Sequence, residues 1–145
     1  MALTAVHHAY EAARFDPPWR HHVVVLSVWV LAALAAFLAL YHRGPGRAAR
    51  RAGKVAAWLL ILAAPVAWIG VFEGGYNHLL KNALYFGGLS RDAFARLFPA
   101  PAYVPPTDWL FELTGVLQFP LGVLAGIHAV HWWRTSEAAV VRGAA

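Results

Sequence analysis

The chain has 145 residues, of which 60% are apolar and only 13% charged, a composition too apolar for a soluble domain of this size. The absence of cysteine excludes disulfides, thiolate metal ligands and a cysteine nucleophile. The net charge of +5 comes from basic residues that cluster beside an apolar stretch, where attraction to anionic lipid accounts for them. We therefore expect a lipid bilayer as partner and no nucleic acid.

Three apolar stretches set the predicted architecture. They cover residues 23–41, 55–73 and 109–133. Crossing ~30 Å of hydrocarbon at ~1.5 Å per residue takes about 20 residues, which each stretch supplies. The sequence therefore predicts an all-α integral membrane protein, a single membrane domain over residues 1–145 with three transmembrane helices.

Residues 1–22 precede the first span and carry an amphipathic pattern. At helical spacing, one face is apolar and the opposite face is polar, with Leu3, Val6, Tyr10 and Ala13 on the first and His7, His8 and Glu11 on the second. This pattern predicts a short amphipathic helix on the outer surface of the membrane. Folding of this segment over the bundle would bring its polar face to the rim of the spans.

The loop of residues 42–54 between the first two spans decides the predicted orientation. It holds five basic side chains and no acidic one: Arg43, Arg47, Arg50, Arg51 and Lys54. The positive-inside rule then places this loop and the tail of residues 134–145 in the cytoplasm, with the N-terminus outside. Because the Ala- and Arg-rich composition is typical of bacteria, the expected location is the bacterial inner membrane.

Residues 74–108 form a long predicted outer loop with short helices and a Pro-rich stretch. The apolar stripe from Tyr76 to Phe86 either prolongs the second helix or lies along the interface, with a bend at Gly74-Gly75. Ser90 is suited to cap a short helix ending near Leu97, and Thr107 or Asp108 to cap the third span. A loop of this length often covers a site or docks a partner.

The third span contains features that require close helix partners. Gly115, Gly122 and Gly126 fall along one stripe, which lets another backbone approach closely. Gln118 lies ~13 Å inside the span, where its amide needs a hydrogen-bonding neighbour. Both features predict contacts between this helix and another.

Histidines and glutamates gather at one end of the predicted spans. Glu73 ends the second span, and Glu112 lies ~4.5 Å inside the third. The predicted metal ligands at this level are His21, His22, Glu73, His78 and Glu112. Imidazole and carboxylate groups together suit Zn, Fe, Mn or Cu. Ordinary ion pairs of the two glutamates with Lys81, Arg91 or Arg96 are the competing interpretation, because no compact ligand motif is present.

Two other chemistries fit the same residue types. Glu73, Asn77 and Lys81 recur every four residues, which would place them on one face of a helix. Glu73 and Glu112 could then act as acid and base on a lipophilic substrate, with His78 or Asn77 positioning the two carboxylates. His42 and His128 lie at comparable depth near the opposite end of the spans, a layout suited to haem.

Three functions follow from the sequence. The first is a small subunit of a larger membrane complex, or of a homo-oligomer, whose outer Glu/His cluster binds a transition metal. The alternative is the membrane enzyme with Glu73, Glu112 and Asn77 as catalytic residues, and a haem-binding membrane anchor ranks third. The sequence alone does not decide whether the protein is an enzyme.

Overall fold

A computed structural model describes residues 1–15, 21–100 and 102–142, with side chains as far as Ser136. Every regular element in these ranges is helical. The elements are α1 (Ala2–Phe15), α2 (His21–Arg43), α3 (Gly46–Ile61), the π-helix π1 (Leu62–Leu80), α4 (Lys81–Phe86), α5 (Arg91–Leu97) and α6 (Trp109–Arg142). Residues 16–20 of the N-terminal segment, Pro101 of the Pro-rich stretch and residues 143–145 of the tail lie outside the described residues.

Three helices are long and apolar enough to cross a membrane: His21–Arg43, Gly46–Phe86 and Trp109–Ser136. They contain the three predicted spans, so the all-helical architecture with three candidate spans is confirmed. The outward face of α2 is apolar, with Val28 and Trp29 well exposed, as contact with lipid requires. The third span is the most enclosed of the three, and its Glu112 and Gln118 are buried.

The predicted basic loop of residues 42–54 is largely helical. α2 continues to Arg43 and α3 begins at Gly46, so only Gly44 and Pro45 join them. Gly46 has a φ of 79°, which glycine adopts without strain and which lets the chain reverse in a short turn. Alanine and arginine are good helix formers, so the basic segment continues as helix and carries its charges on the first turns of α3.

The bend predicted at Gly74-Gly75 is wrong. α3, π1 and α4 form one continuous helix from Gly46 to Phe86, so the stripe after Tyr76 prolongs the second span. A side chain at Gly74 would overlap the backbone of Phe119 in α6. These glycines therefore serve close helix packing, for which the absence of a side chain is needed, and not a change of direction.

The glycine stripe of α6 packs on π1, as predicted. A Cβ atom at Gly122 would overlap Gly70 of π1, and one at Gly115 would overlap the ring of His78. The two helices thus approach backbone to backbone near Gly122 and leave room for an imidazole near Gly115.

The π-helical geometry changes which residues of π1 share a face. Residues five apart point about 140° away from each other in an α-helix of 3.6 residues per turn. The wider turn of a π-helix, with hydrogen bonds from i to i+5, brings such residues to nearly the same side. Both Glu73 and His78 are buried for this reason, as are Ala64, Ile69 and Gly74 at the same spacing.

α1 corrects the prediction of an outer-surface amphipathic helix. Its polar side chains face the bundle and are buried, while Val6 on the opposite face is 64% exposed. The buried set is Thr4, His7, His8, Glu11 and Ala12. The amphipathic pattern predicts a polar face in contact with water. Beside apolar spans, these polar side chains find their hydrogen-bond partners in other protein groups.

α1 runs antiparallel to the beginning of α6. Thr4 Oγ1 donates to Gln118 Oε1 over 2.9 Å, which confirms the expected partner for that buried amide. At the other end of α1, Tyr10 and Arg14 both donate to Asp108. These contacts lay α1 along the first turns of α6 with its polar side chains pointing inward.

The connection between α4 and α6 follows the predicted caps. Ala93 N donates to Ser90 Oγ over 3.4 Å at the start of α5. Asp108 Oδ1 accepts from Leu110 N at 3.1 Å and from Phe111 N at 3.0 Å, so Asp108 is the cap of α6.

Candidate metal centre

A cluster of six buried histidines and glutamates lies where α1, π1 and the start of α6 meet. Each residue is no more than 7% exposed. We call these residues the His/Glu cluster: His7, His8 and Glu11 from α1, Glu73 and His78 from π1, and Glu112 from α6. The cluster exists because α1 turns its polar face inward and because π1 brings residues five apart together.

Each imidazole in the cluster is held through its Nδ1 atom. His8 Nδ1 lies 2.8 Å from Glu11 Oε2, and His78 Nδ1 lies 2.8 Å from Glu112 Oε2. A carboxylate only accepts hydrogen bonds, so both Nδ1 atoms carry the hydrogen. A neutral ring with its hydrogen on Nδ1 presents the lone pair of Nε2, which is the arrangement found when carboxylates orient metal-binding histidines.

His7 is oriented by a hydroxyl group in the same sense. Its Nδ1 lies 2.9 Å from Thr114 Oγ1. That hydroxyl donates to the backbone carbonyls of Leu110 and Phe111, so it accepts from His7. The His7 ring also stacks on Phe111 with centroids 4.5 Å apart, which fixes its plane.

The imidazoles converge on the carboxylate of Glu73. His8 Nε2 and His78 Nε2 each lie 3.8 Å from Glu73 Oε1. His7, Glu73 and His78 offer ligand atoms within 4.8 Å of one another, and so do His7, His8 and Glu11. Ligand atoms around tetrahedral zinc, with bonds of ~2.0–2.2 Å, lie about 3.3–3.5 Å apart. The two 3.8 Å contacts of Glu73 exceed this distance by a few tenths of an ångström.

The cluster contains three buried carboxylates and lies beside a buried ammonium. The carboxylates are those of Glu11, Glu73 and Glu112, and the ammonium is that of Lys81. Lys81 Nζ donates to Glu112 Oε1 over 2.8 Å and to Val104 O over 3.2 Å. A buried carboxylate is costly in an apolar environment unless its charge is offset. A divalent cation or protonated imidazoles would each offset the charge of Glu73.

A small cavity adjoins the cluster. It has a volume of about 20 Å³ and is lined by Glu73, Asn77, His78 and Lys81. This is enough for one water molecule. Residues 102–104 of the connection before α6 close its other side, so the long loop covers the site. A metal bound by the imidazoles would therefore have room for one small additional ligand.

The structure brings together three of the five predicted metal ligands. Glu73 and His78 are central, and Glu112 lies behind His78 with both oxygens engaged, one by His78 and one by Lys81. Glu112 is thus placed to orient a ligand. His21 and His22 lie on the exposed start of α2, and His22 lines a neighbouring cavity with His8 and Glu73.

The predicted ligand set left out His7, His8 and Glu11. Their signal was present in the sequence as the polar face of the N-terminal helix, and their position beside Glu73 agrees with the expectation that this segment folds over the rim of the spans. The competing ion-pair interpretation is met for Glu112 with Lys81, whereas Arg91 and Arg96 are exposed on α5.

Of the residues predicted for acid–base and haem chemistry, Asn77 lies beside Glu73, whereas His42 and His128 lie apart from the cluster. Asn77 Nδ2 donates to Glu73 Oε2 over 2.8 Å, as the four-residue spacing predicts. His42 and His128 are exposed and lie outside the His/Glu cluster, and His128 Nδ1 bonds the Leu124 carbonyl of its own helix at 2.7 Å. This geometry gives no support to the haem interpretation.

A polar contact at the end of α1 ties this helix over the cluster. Tyr10 Oη donates to Asp108 Oδ2 over 2.9 Å, and Arg14 Nε donates to the same oxygen over 3.3 Å. The pKa of Asp108 is lowered by the backbone N–H of Phe111 and by these two donors. The hydrogen bond to Asp108 in turn raises the pKa of Tyr10.

Comparison with known protein families, curated proteins and solved structures finds no match to the chain. Inference about function therefore rests on the geometry and chemistry of the His/Glu cluster.

Proposed function

We propose that this chain is a membrane metal-binding protein with one transition-metal ion in the His/Glu cluster. The ligands are the Nε2 atoms of His7, His8 and His78 and the carboxylate of Glu73. Glu11 and Glu112 orient two of the imidazoles. The observation that carries the proposal is that two Nε2 atoms converge on one oxygen of Glu73 while a separate carboxylate holds each Nδ1.

A metal fits the orientation of the imidazoles. Carboxylates hold the Nδ1 atoms of His8 and His78, and the Nε2 atoms of both rings face Glu73. A divalent cation between them would accept the Nε2 lone pairs of neutral imidazoles and would offset the charge of the Glu73 carboxylate. Three imidazoles and one carboxylate favour zinc, iron or copper over magnesium or calcium, and manganese remains compatible with the mixed set.

The placement in the membrane is part of the proposal. The N-terminus lies outside and the C-terminus inside in a multi-pass protein of the bacterial inner membrane. Exposed Arg47, Arg50 and Arg51 at the start of α3 support this orientation through the positive-inside rule. The site then lies in the outer half of the bilayer, with the loop of residues 102–104 over it.

The predicted assembly into a larger membrane complex or homo-oligomer stays a prediction. In such a complex this chain would supply the metal centre. The acid–base enzyme remains the alternative, but both oxygens of Glu112 are engaged, so only Glu73 and Asn77 of its proposed catalytic set line a cavity.

The proposal is tested by metal analysis of matched histidine variants. Protein purified in mild detergent after growth with Zn, Fe, Mn and Cu is expected to contain about one metal ion per chain. His78→Ala is expected to lose it, because one ligand is removed. His21→Ala, at an exposed histidine outside the cluster, should retain it.

Two results would overturn the proposal. One is a folded wild-type protein that neither contains nor takes up a stoichiometric metal. The other is equal loss of metal in His21→Ala and His78→Ala, since that would place the site at the start of α2. Circular dichroism of each variant shows whether its helices remain intact.

A further inference from the structure

A groove runs between α6 and π1, toward the end of α6 that lies away from the His/Glu cluster. Its volume is about 520 Å³, within the ~300–1,000 Å³ range of ligand sites. We propose that this groove binds one anionic phospholipid, with an acyl chain on its apolar residues and the phosphate group at its basic end. The lining residues are Val66 of π1 and, in order along α6, Val123, Gly126, Ile127, Val130, His131 and Arg134.

The order of the lining residues gives the groove a direction. On α6 they recur three or four positions apart, so they form one stripe along a face of the helix. From Val123 to Arg134 this stripe rises about 16 Å at ~1.5 Å per residue. That length is roughly half of the ~30 Å hydrocarbon core, the depth that an acyl chain reaches in its own leaflet. The stripe is apolar as far as Val130 and basic only at its end.

Aromatic side chains mark the basic end of the groove as the membrane interface. Trp132 packs on Tyr41 of α2 with ring centroids 5.5 Å apart, and Trp133 packs on Trp58 of α3 with centroids 4.9 Å apart. Tryptophan and tyrosine are enriched where the hydrocarbon meets the headgroups. Arg134 follows directly, near the end of the third candidate span, so its guanidinium can reach the level of the lipid phosphates.

The basic end offers hydrogen-bond donors that the protein does not use. Among the side chains that the structure describes, those of His131 and Arg134 make no hydrogen bond and no ion pair, and both residues are exposed. A guanidinium binds two phosphate oxygens at once, and an imidazole N–H donates one further hydrogen bond. Basic pockets between membrane helices recognise anionic headgroups through such contacts.

The shape of the groove favours a single acyl chain over a second helix. A Cβ atom at Gly126 would meet only the methyl groups of Val66, at 3.6 and 3.7 Å, so this glycine leaves a shallow floor. Close approach of another helix needs a row of small residues. Here branched side chains flank the glycine, and Val123, Ile127 and Val130 are 44%, 59% and 40% exposed. A flexible chain fits between them, whereas a helix backbone would be held away.

The headgroup contact is tested by native mass spectrometry of the protein in mild detergent, titrated with dioleoyl phosphatidylglycerol or dioleoyl phosphatidylcholine. Both lipids carry a phosphate, but choline adds a positive charge that opposes attraction by Arg134. The first phosphatidylglycerol is expected to bind about fivefold tighter than the first phosphatidylcholine, the contribution of one basic side chain at a membrane surface. Arg134→Gln is expected to erase this preference. Arg51→Gln, at an exposed arginine of α3 that does not line the groove, should keep it.

Two results of this titration would overturn the inference. One is equal binding of the two lipids to the wild type. The other is an equal loss of preference in Arg134→Gln and Arg51→Gln, since that would assign the preference to the general positive charge at this end of the protein.

The acyl-chain contact is tested by filling the groove. Ile127 is 59% exposed and lines the groove, whereas Leu124 on the same helix is 50% exposed and does not. Ile127→Trp is expected to weaken binding of the first phosphatidylglycerol at least about tenfold, and Leu124→Trp should bind like the wild type. Wild-type lipid affinity in a folded Ile127→Trp protein would overturn the inference. If Ile127→Trp instead dissociated an oligomer of the wild type and left lipid binding unchanged, the groove would belong to a protein partner.

Metal analysis on the same samples separates this inference from the proposed metal centre. Glu112 and Arg134 lie about 33 Å apart along α6 at ~1.5 Å per residue, so Ile127→Trp and Arg134→Gln should retain the metal. A metal-free wild type that prefers phosphatidylglycerol through Arg134 would end the metal proposal and leave the lipid site standing. A metal-containing protein without this preference would end the lipid inference alone.

Discussion

Replacement of Gly115 by alanine should disable the metal centre without changing any ligand. A Cβ atom at this position would overlap the His78 ring at three atoms. The ring has little freedom to move, because its Nδ1 is held by Glu112 at 2.8 Å and it makes T-shaped contacts with Phe111 and His7, with centroids 4.9 and 4.8 Å away. The added methyl group must therefore displace His78 from its position in the cluster.

The size of the effect follows from what the displaced ring loses. Overpacking in a closely packed region costs about 1–3 kcal/mol. Loss of the hydrogen bond to the Glu112 carboxylate costs about 1.5–3 kcal/mol. If about 3 kcal/mol of this falls on the metal-bound state, metal affinity drops about 100-fold. Loss of an orienting group around a metal ligand has an effect of similar size, about 10–100-fold.

Gly126→Ala is the matched control on the same helix. A Cβ atom there would lie 3.6 and 3.7 Å from the two methyl groups of Val66, which is ordinary van der Waals contact. Alanine also favours helix over glycine by up to about 1 kcal/mol. Gly126→Ala should therefore bind metal as the wild type does and unfold at the same or a higher temperature.

Competition with a chromogenic chelator measures the metal affinity of both variants in detergent. Tryptophan fluorescence during heating measures their stability. Wild-type affinity in a folded Gly115→Ala protein would refute the reasoning, since it would mean that the position of the His78 ring does not matter for the metal.

Three further substitutions test the packing around the cluster. Thr4→Val should lower stability by about 1–3 kcal/mol in chemical unfolding, because it leaves the buried Gln118 amide unpaired; Val6→Thr, at an exposed position of α1, should change it little. Lys81→Met should destabilise the metal-free protein by about 3–5 kcal/mol, because Glu112 loses its buried ionic partner; an unchanged unfolding midpoint would contradict this role. The pKa of Asp108 is lowered in the folded protein, so its contribution to stability is present above the unfolded pKa of about 3.9 and is lost as pH falls through the lowered value. Asp108→Asn should remove that part of the acid dependence of the melting temperature, and coincident pH profiles would contradict the contact with α1.

Much of the fold could be predicted because long apolar stretches have few alternatives. The spans, the cap at Asp108 and the glycine contacts of α6 follow from residue type and spacing. The boundaries were harder to predict. The chain leaves the helix only at Gly44 and Pro45, and residues 47–54 are already helical. Gly74 and Gly75 do not end the second helix, because they are packed against α6.

The candidate site was only half predictable for two physical reasons. An amphipathic pattern shows that α1 has a polar and an apolar face but not which of them is buried. A helix beside water usually buries its apolar face, whereas α1 buries its polar face against the bundle. The five-residue spacing of Glu73 and His78 looks unfavourable on an α-helix, and only the π-helical turn brings these side chains together. Tertiary contacts decide both.

X-ray absorption at the metal edge of the purified protein tests the central claim most directly. The account predicts a first shell of nitrogen and oxygen atoms, with outer-shell scattering from about three imidazole rings and none from sulfur, since the chain contains no cysteine. A shell of oxygen atoms alone, or a protein that carries no stoichiometric metal to measure, would contradict a metal centre built from His7, His8, His78 and Glu73.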